Sequence, residues 1–468
     1  MIGPFTARRR ASVLRRGLLG FVLSAVLCWA GGGMAFAATA ELSQDDKTCL
    51  GCHEAADLQK QLTNAETLSL HVNAEAFAKS VHAAIGCTGC HADVDLGEHP
   101  SAEKAIASAR QYSLAAAEVC RSCHSDKYEL YEGSLHAVAL RTGNEAAPVC
   151  TDCHGPHDVG PKATYATVAA VPCKNCHSDI FDAYAQSMHG KARAQAEASA
   201  APLCSDCHSA HEVKAASAGE GRKQACLNCH SEAVATHKEW LPNTELHFQT
   251  VSCPACHAPN AKRRIDLRLY NAATSQQVAS GETGVPRIEG RIKAAEAAGG
   301  KGLDPMELWN LISVFAREDS GAMVLRGRLE VSDGAEAHRM ADKAKALSDC
   351  NTCHRAGSEA FRSVTISIAR PDGRPERYGI DREVLHSPVS IDSVRGFYAI
   401  GATRIKLLDV LLLLALAAGV AVPLAHLTAR WAFRRYLRKI EEEKAAAAAA
   451  TGDAGATGNR NADGDASA

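Results

Sequence analysis

The stretch CTDCHGPHD (residues 150–158) contains two cysteines, a histidine directly after the second cysteine, and another histidine, His157, three residues later. Such a cluster can belong to a zinc site, a redox-active dithiol or a covalent haem attachment site. Its first five residues recur along the chain in the pattern Cys-x-x-Cys-His. The nine copies are CLGCH (49–53), CTGCH (87–91), CRSCH (120–124), CTDCH (150–154), CKNCH (173–177), CSDCH (204–208), CLNCH (226–230), CPACH (253–257) and CNTCH (350–354).

The histidine that follows every second cysteine distinguishes between these chemistries. A zinc site gathers four ligands from paired half-sites, and a disulfide framework does not need the histidine. In c-type haem the two thiols add to the vinyl groups, and the adjacent imidazole becomes the proximal iron ligand. The sequence therefore predicts nine covalent haem c groups, which use all the cysteines except Cys28. The predicted attachment residues are Cys49, Cys52, Cys87, Cys90, Cys120, Cys123, Cys150, Cys153, Cys173, Cys176, Cys204, Cys207, Cys226, Cys229, Cys253, Cys256, Cys350 and Cys353, and the predicted proximal ligands are His53, His91, His124, His154, His177, His208, His230, His257 and His354.

The other histidines decide between an electron carrier and an enzyme. A low-spin electron-transfer haem needs a second axial ligand, whereas a haem that reduces a substrate leaves that position open. Eleven further histidines lie outside the predicted membrane span, two more than nine haems require. The predicted distal ligands are His82, His99, His136, His157, His189, His211, His237, His247, His338 and His386; we expect His71 to be structural or exposed.

Several of these histidines recur in register with the haem motifs. Ser-x-His precedes a motif in FAKSVH, YEGSLH and YAQSMH, and CHxxH occurs in CHGPH and CHSAH. His157 cannot reach the opposite face of its own haem, because His154 already holds one side. We therefore predict that His157 ligates a neighbouring haem. His338 and His386 either compete for the ninth haem or serve two different ones.

Both ends of the chain carry targeting signals. Five arginines, an apolar run and the sequence AFA (35–37) predict a secretory signal peptide over residues 1–37, which contains Cys28. Near the C-terminus, residues 406–429 are long and apolar enough for one transmembrane helix, and basic residues follow directly. Because positive charge marks the cytoplasmic side, the haem region is expected in the periplasm and the tail in the cytoplasm. Within the span, His426 is a candidate functional residue or a side chain that reaches the cytoplasmic edge.

The predicted fold is mainly α-helical with much irregular structure, organised around a haem stack, with a small α+β insertion. Too few residues separate the motifs to build an apolar core for each haem. In the insertion, Asp304-Pro305 predicts a helix with an apolar stripe of Leu308, Leu311, Ile312 and Phe315, and a second helix is predicted from Asp333 through His338 to Ala344. The segments VTISI (364–368) and RYGI (377–380) predict a hairpin. The predicted divisions are a signal peptide (1–37), an octahaem region (38–257), a haem-free insertion (258–349), a ninth-haem region with the hairpin (350–405), a transmembrane helix (406–429) and a basic, then disordered, tail (430–468).

The Ser-x-His segments, the CHGPH run and WLPN…LH…CPACH resemble membrane-anchored multihaem c-type cytochromes of bacterial respiratory chains. The resemblance covers residues 38 to about 430. It implies haems with two histidine ligands and a periplasmic haem subunit that pairs with an integral cytochrome b-type or other quinone-reactive subunit in the inner membrane. It also implies electron exchange with periplasmic or outer-membrane acceptors. No motif ends in Lys, which departs from the pentahaem nitrite reductases, and the resemblance does not explain the insertion.

We therefore expect an electron carrier rather than a substrate-converting enzyme. The alternatives are a reductase or oxidase of a small nitrogen or sulfur compound at one five-coordinate haem, and a docking subunit. The formal charge of −2 excludes a strongly basic surface for nucleic acid.

Overall fold

A computed structural model of the protein describes residues 41–100, 105–195, 200–214, 219–272, 274, 277–281, 285–297, 302–318, 323–370, 374–394 and 397–456. The predicted signal peptide lies outside these residues. The described chain is mostly helical with much irregular structure, and it divides into two compact units. The first unit ends at Asn175 and includes His211–Val213; the second comprises Cys176–Ala210 and the residues from Lys214 onward.

The first unit consists of short helices joined by loops, with one small antiparallel sheet. Its helices are Gln44–His53, Ala74–Lys79, Ala109–Cys123, Ser125–Glu132, Leu135–Arg141 and Cys150–His154, with 3-10 turns at Lys162–Ala166 and Pro172–Asn175. The sheet pairs β1 (Gln59–Gln61) with β2 (Thr67–Ser69). Several haem motifs are themselves helical turns. The spacing i, i+3, i+4 therefore places both cysteines and the motif histidine on one helix face.

The second unit combines short helices of the same kind with a larger mixed sheet. Its helices are Ser178–Gln186, Met188–Gln195, Cys204–His208, Gly219–Cys229, Ala233–Lys238, Thr244–Thr250, Cys253–His257, Val285–Ala297, Pro305–Glu318, Gly334–His338, Asn351–His354, Ser390–Ser393 and Lys406–Ala456, with 3-10 turns at Lys343–Lys345, Glu359–Phe361 and Arg382–Leu385. The strands are β3 (Arg263–Asn271), β4 (Met323–Val331), β5 (Val364–Ala369) and β6 (Pro375–Gly379).

The sheet has the order β4-β3-β5-β6, in which β3 pairs antiparallel with β4 and parallel with β5. One face is apolar because Ile265, Leu267 and Leu269 of β3 alternate with polar residues. These three side chains are completely buried against the helices Val285–Ala297 and Pro305–Glu318. The main apolar core of the second unit therefore lies between the sheet and these two helices.

The predicted helix at Asp304 is present as Pro305–Glu318. Asp304 accepts a hydrogen bond from the Glu307 amide at 2.8 Å, and Glu307 accepts one from the Asp304 amide at 2.9 Å, which forms a capping box. Leu308 and Ile312 are buried and Leu311 packs against them; the side chain of Phe315 lies outside the described residues.

Two features of this region differ from the sequence-based expectation. The helix predicted to reach Ala344 ends at His338, and the chain then continues through irregular backbone to the turn Lys343–Lys345. The hairpin of β5 and β6 forms as predicted, but β5 also pairs with β3 of the insertion. The insertion and the segment after the ninth motif therefore share one sheet. The alternation of apolar and polar residues along β3 was a signal for this strand that sequence reasoning had missed.

The C-terminal helix, Lys406–Ala456, is the candidate membrane span of the described chain. Its most apolar window has a mean hydropathy of 2.5, and none of that window is buried by the protein. In the first turn, Asp409 accepts hydrogen bonds from Arg404 at 2.7 Å and from Tyr398 at 3.2 Å. The helix continues past the predicted end of the span to Ala456 instead of giving way to disorder after Glu443, since the alanine run there favours helix.

Replacing Ile366 with alanine is expected to destabilise the sheet. Ile366 is 0% exposed at the centre of the apolar face, and emptying such a site costs about 2–5 kcal/mol. The matched control is Ile391→Ala at an isoleucine that is 45% exposed, with an expected change below about 0.5 kcal/mol. Urea denaturation with hydrogen exchange of the β3 and β5 amides measures both variants, and equal effects would contradict the assigned core.

Candidate haem-binding sites

Eight of the nine motif histidines each face a second histidine. The distances between ring centres are 6.1 Å for His53–His99, 6.0 Å for His82–His124, 6.2 Å for His91–His157, 6.1 Å for His154–His211, 6.2 Å for His189–His230, 5.9 Å for His208–His338, 6.2 Å for His237–His257 and 6.0 Å for His247–His354. The first four pairs lie within the first unit and the other four within the second. Among the described residues, no group of three or more His, Cys, Asp or Glu side chains could hold a single metal ion.

This spacing fits one iron atom between two imidazoles. An imidazole nitrogen binds a transition metal at about 2 Å, so two ligands on opposite sides place their nitrogens about 4 Å apart. Each ring centre lies roughly 1 Å behind its nitrogen, which gives about 6 Å between ring centres. The residues present therefore fit a haem with two histidine ligands at each of the eight positions.

Backbone carbonyls orient several of these rings. A carbonyl oxygen can only accept a hydrogen bond, so a ring whose Nδ1 lies against one carries its proton there and leaves Nε2 for the metal. The contacts are His53 Nδ1 to Leu70 O at 2.8 Å, His237 to Ala233 at 2.7 Å, His247 to Asn243 at 3.2 Å, His338 to Gly334 at 2.7 Å and His354 to Ile400 at 2.9 Å. Burial also lowers the pKa of His154, His157 and His208, which favours the neutral, metal-binding form.

The three Ser-x-His segments share one local structure. An aromatic residue lies three positions before each serine, and its carbonyl accepts the serine amide. The pairs are Ser80 to Phe77 at 2.9 Å, Ser134 to Tyr131 at 2.8 Å and Ser187 to Tyr184 at 2.9 Å. Each serine is buried, and its hydroxyl accepts a hydrogen bond from a backbone amide two or three residues later. For Ser187 this donor is the Gly190 amide at 3.0 Å. The aromatic position is a repeat signal that sequence reasoning had missed.

A second repeated contact ties each Ser-x-His segment to another candidate ligand. The residue between the serine and the histidine of the segment donates its amide to a backbone carbonyl, and this carbonyl belongs to the residue two positions after the other candidate ligand. The bonds are Val81 to Val159 at 2.9 Å, Leu135 to Val213 at 2.8 Å and Met188 to Met340 at 2.8 Å, which follow His157, His211 and His338 respectively. His338 therefore has the same backbone connection to a Ser-x-His segment as the two CHxxH histidines, His157 and His211. No adjacent haem motif marks it in the sequence.

The two candidates for the ninth haem, His338 and His386, differ in their contacts, and the histidine that faces the ninth motif is a third one, His247. His338 faces His208 of the sixth motif, and His247 faces His354 of the ninth. His386 makes no ring contact with a motif histidine within the described residues. Its Nδ1 accepts the Arg404 amide at 3.2 Å, a contact that disfavours iron binding, and its ligation of a haem stays a prediction. His386 instead lines a cavity of about 450 Å³ beside the first turn of the C-terminal helix.

Four further histidines complete the set. His136 lies half-buried on the helix Leu135–Arg141, and its ligation and that of the motif histidine His177 stay predictions. His71 is exposed, in agreement with its expected minor role. His426 lies within the C-terminal helix.

Cysteines of successive motifs are neighbours within each unit. Thiols are hydrogen-bonded between Cys49 and Cys87, Cys120 and Cys150, and Cys226 and Cys253. Burial is the main cause that raises the pKa of Cys90, Cys207 and Cys256, and nearby thiols of the next motif add to it. These thiols are Cys120 and Cys123 for Cys90, Cys229 for Cys207, and Cys353 for Cys256. The attachment points from the first to the fourth motif, and from the sixth to the ninth, therefore follow one another in space as they do along the chain.

The buried carboxylate of Asp46 connects the first two motifs. It accepts the Cys87 amide at 2.8 Å and the Ser43 hydroxyl at 2.6 Å. Burial opposes ionisation, but these hydrogen bonds outweigh it and lower the pKa of Asp46 to about 2. Asp46 therefore holds the second motif against the first haem helix.

Comparison with known proteins agrees with these sites. Residues 172–258 match the family described as cytochrome c554 and c-prime, and this window contains four Cys-x-x-Cys-His motifs. A tetraheme cytochrome-c type protein of Allochromatium vinosum is 27% identical over 147 residues, which cover 27% of this chain and 76% of that protein. No solved structure matches the chain significantly. The family match, the relative and the paired histidines together support a multihaem c-type cytochrome, a class of proteins that bind haem covalently and transport electrons.

Asp46→Asn is expected to remove an acid-sensitive contribution to stability. The folded pKa of Asp46 lies below the ordinary value of 3.8, so the contribution is present above pH 3.8 and is lost as pH falls towards 2. Urea midpoints at pH 6 and pH 3 measure it: the wild type should lose more stability over this interval than Asp46→Asn. The control is Asp45→Asn at the exposed neighbouring carboxylate, which should behave like the wild type.

His338→Ala is expected to make one haem high-spin, because the alanine leaves the iron bound by His208 without its second imidazole. His386→Ala is the matched control and should leave every haem low-spin. Electron paramagnetic resonance of the two oxidised variants measures both outcomes. A high-spin signal from His386→Ala, with none from His338→Ala, would contradict the pairing.

Proposed function

We propose that the chain is an electron-transfer cytochrome that carries nine covalently bound haem c groups. The observation that carries this proposal is the set of eight histidine pairs spaced for a single iron. At each such site the chain's own two imidazoles would hold the iron, which would leave no position for a substrate. Such sites suit the transfer of single electrons rather than the conversion of a bound compound.

Each haem, when bound, supplies an iron centre that changes its charge by one electron. The chain's own residues do the rest. The cysteines fix the position of each group through two thioether bonds, and the two histidines hold the iron in one coordination geometry in both oxidation states. The carbonyls that accept the Nδ1 protons keep each imidazole in its binding tautomer and orientation.

The proposed route for electrons follows the order of the motifs. Neighbouring thiols support a series from the first to the fourth motif and a second series from the sixth to the ninth. Some histidines follow one motif closely in the chain but face the histidine of a different motif. Such pairs also support a connected series of haems. His157 follows the fourth motif and faces His91 of the second, so it would fasten two cofactors to each other.

We further propose that the C-terminal helix anchors the protein in the bacterial inner membrane, with the haems in the periplasm. His354 of the ninth motif hydrogen-bonds the carbonyl of Ile400, a few residues before the helix begins at Lys406. The ninth haem is therefore the proposed entry point for electrons from the quinone pool, through an integral cytochrome b-type or other quinone-reactive subunit. Periplasmic redox proteins or outer-membrane acceptors would receive them at the other end.

Electron paramagnetic resonance of the oxidised wild-type protein tests this function. We expect only low-spin ferric signals that account for nine haems, because every iron would have two imidazole ligands. His157→Ala should convert one haem, the one attached at Cys87 and Cys90, to the high-spin form. The haem on His154 should remain low-spin and attached.

Two outcomes would overturn the proposal. A stoichiometric high-spin signal in the wild type would indicate an open coordination site and favour an enzyme. A His157→Ala protein without any spectral change would refute the link between two cofactors. His71→Ala, at an exposed histidine, is the control and should match the wild-type spectrum.

A further inference from the structure

The second face of the β4-β3-β5 sheet is polar and yet buried. Arg264, Asp266 and Arg268 alternate along β3 and lie opposite Glu330, Arg328 and Arg326 of β4 in the register of the sheet. Asp266 is 0% exposed and Arg268 is 1% exposed. A buried charge is costly unless other charges and hydrogen bonds compensate it, so the partners of each group matter.

Both acids on this face already have several donors. Asp266 accepts Arg268 Nε at 2.9 Å, and it also accepts the hydroxyls of Thr365, at 3.2 Å, and Ser367. Glu330 accepts Arg268 Nη2 at 2.7 Å and Arg222 Nη2 at 3.3 Å through the same oxygen, Oε1, and Arg328 Nε lies 3.4 Å from that oxygen. Each carboxylate therefore interacts with more than one donor on this face.

Three arginines share these two carboxylates: Arg222 and Arg328 pair with Glu330, and Arg268 pairs with both acids. A fourth, Arg264, lies opposite Glu330 in the sheet register and donates to the Ser332 carbonyl. We call Arg222, Arg264, Arg268 and Arg328 the arginine cluster; with Asp266 and Glu330 it carries a net charge of +2. The Nε atoms of Arg264 and Arg328 are buried without a hydrogen-bond partner. Burial lowers the pKa of Arg222, Glu330 opposes this shift, and Arg268 and Arg328 reinforce it. Arg264, Arg268 and Arg328 are buried, whereas the side chain of Arg222 is 38% exposed, so most of the positive charge of the cluster lies in the protein interior.

The arginine cluster lies beside two haem attachment sites. Arg222 is four residues before Cys226 on the helix Gly219–Cys229, so both side chains share one helix face. The amide of Ser252, directly before the eighth motif, donates to Leu329 O at 3.0 Å. Leu329 lies between Arg328 and Glu330 on β4, which brings the eighth motif to the edge of the cluster.

The interactions of Cys253 support this placement. Its thiol is hydrogen-bonded to Cys226, the first cysteine of the seventh motif, and this bond is the largest influence on its pKa. Arg328 and Arg222 also favour its charged form. The positive charges thus act on the point where the seventh and eighth attachment sites meet.

We propose that the arginine cluster raises the reduction potentials of the two haems attached at residues 226–230 and 253–257. Reduction adds one electron and no proton to each iron, so it lowers the charge of that haem by one. A positive surplus held nearby in the poorly polarisable interior stabilises the reduced form more than the oxidised form. The inference rests on the proposed haem attachment, and it assigns a role to the sheet that contains no haem of its own.

Arg328→Gln tests the proposal in the full-length, haem-loaded protein. In a potentiometric titration followed by visible absorbance, two of the nine one-electron steps should move to lower potential and the others should stay in place. The shift should persist at high salt, because ions screen buried charges much less than exposed ones. Arg326→Gln is the matched control. It removes the same charge from the same strand at an exposed side chain that stacks 4.8 Å above Tyr270, and it should move no step appreciably.

Glu330→Gln gives a result of opposite sign, since it removes a negative charge from the same cluster and should raise both potentials. If that variant does not fold, because Arg268 loses a buried partner, Arg264→Gln replaces it and should lower them. Mass spectrometry of each variant counts the attached haems. An unchanged titration of Arg328→Gln with all haems attached, or an equal shift in Arg326→Gln, would overturn the inference. A wild-type protein without haems at these motifs would overturn the proposed function instead.

Discussion

The architecture depends on one geometric constraint: two imidazoles must face each other about 6 Å apart, with their binding nitrogens directed at the same point. The first imidazole of each pair comes from a Cys-x-x-Cys-His motif, and several of these motifs are short helical turns that bring two thiols and one ring to one face. The second comes from elsewhere in the chain. The many short helices, buried serine hydroxyls and carbonyl contacts to Nδ1 can all be understood as means to hold that second ring in place.

The repeated contacts show how a chain with few aromatic residues satisfies this constraint several times. A buried serine ends one helix and starts the segment that carries one candidate ligand, while the next backbone amide secures the segment that carries another. The contact occurs at Val81, Leu135 and Met188, although the residues around each copy differ. Backbone hydrogen bonds make this possible, because they do not depend on side-chain identity. The arrangement can therefore be repeated without close similarity in sequence.

The sheet of the second unit follows a different principle. Its apolar face forms an ordinary core with two helices, whereas its polar face buries more positive than negative charge beside two attachment sites. A segment that served only to stabilise the fold would not need both Arg264 and Arg328 on that face, because burying more guanidinium groups than carboxylates is unfavourable. The proposed effect on haem potentials gives these residues a physical reason to be there.

The sequence by itself determined what depends on short-range chemistry. The Cys-x-x-Cys-His motif is five consecutive residues, so its nine copies predict the attachment sites and the first ligand of each without any knowledge of the fold. The apolar C-terminal helix could likewise be read from its composition. The Asp304 capping box is equally local. Strands β3 and β4 were not predicted, although Ile265, Leu267 and Leu269 alternate with polar residues along β3; that the polar residues between them are also buried became visible only in the folded sheet.

Only the tertiary structure decided which distant histidine faces which motif. His338 and His386 are equally plausible in the sequence, yet one ring reaches the sixth motif while the other accepts a backbone amide through Nδ1. The reason is physical: the second imidazole of a pair is placed by backbone contacts between segments far apart in the chain, such as Met188 to Met340. Those contacts leave no pattern in the residues that make them.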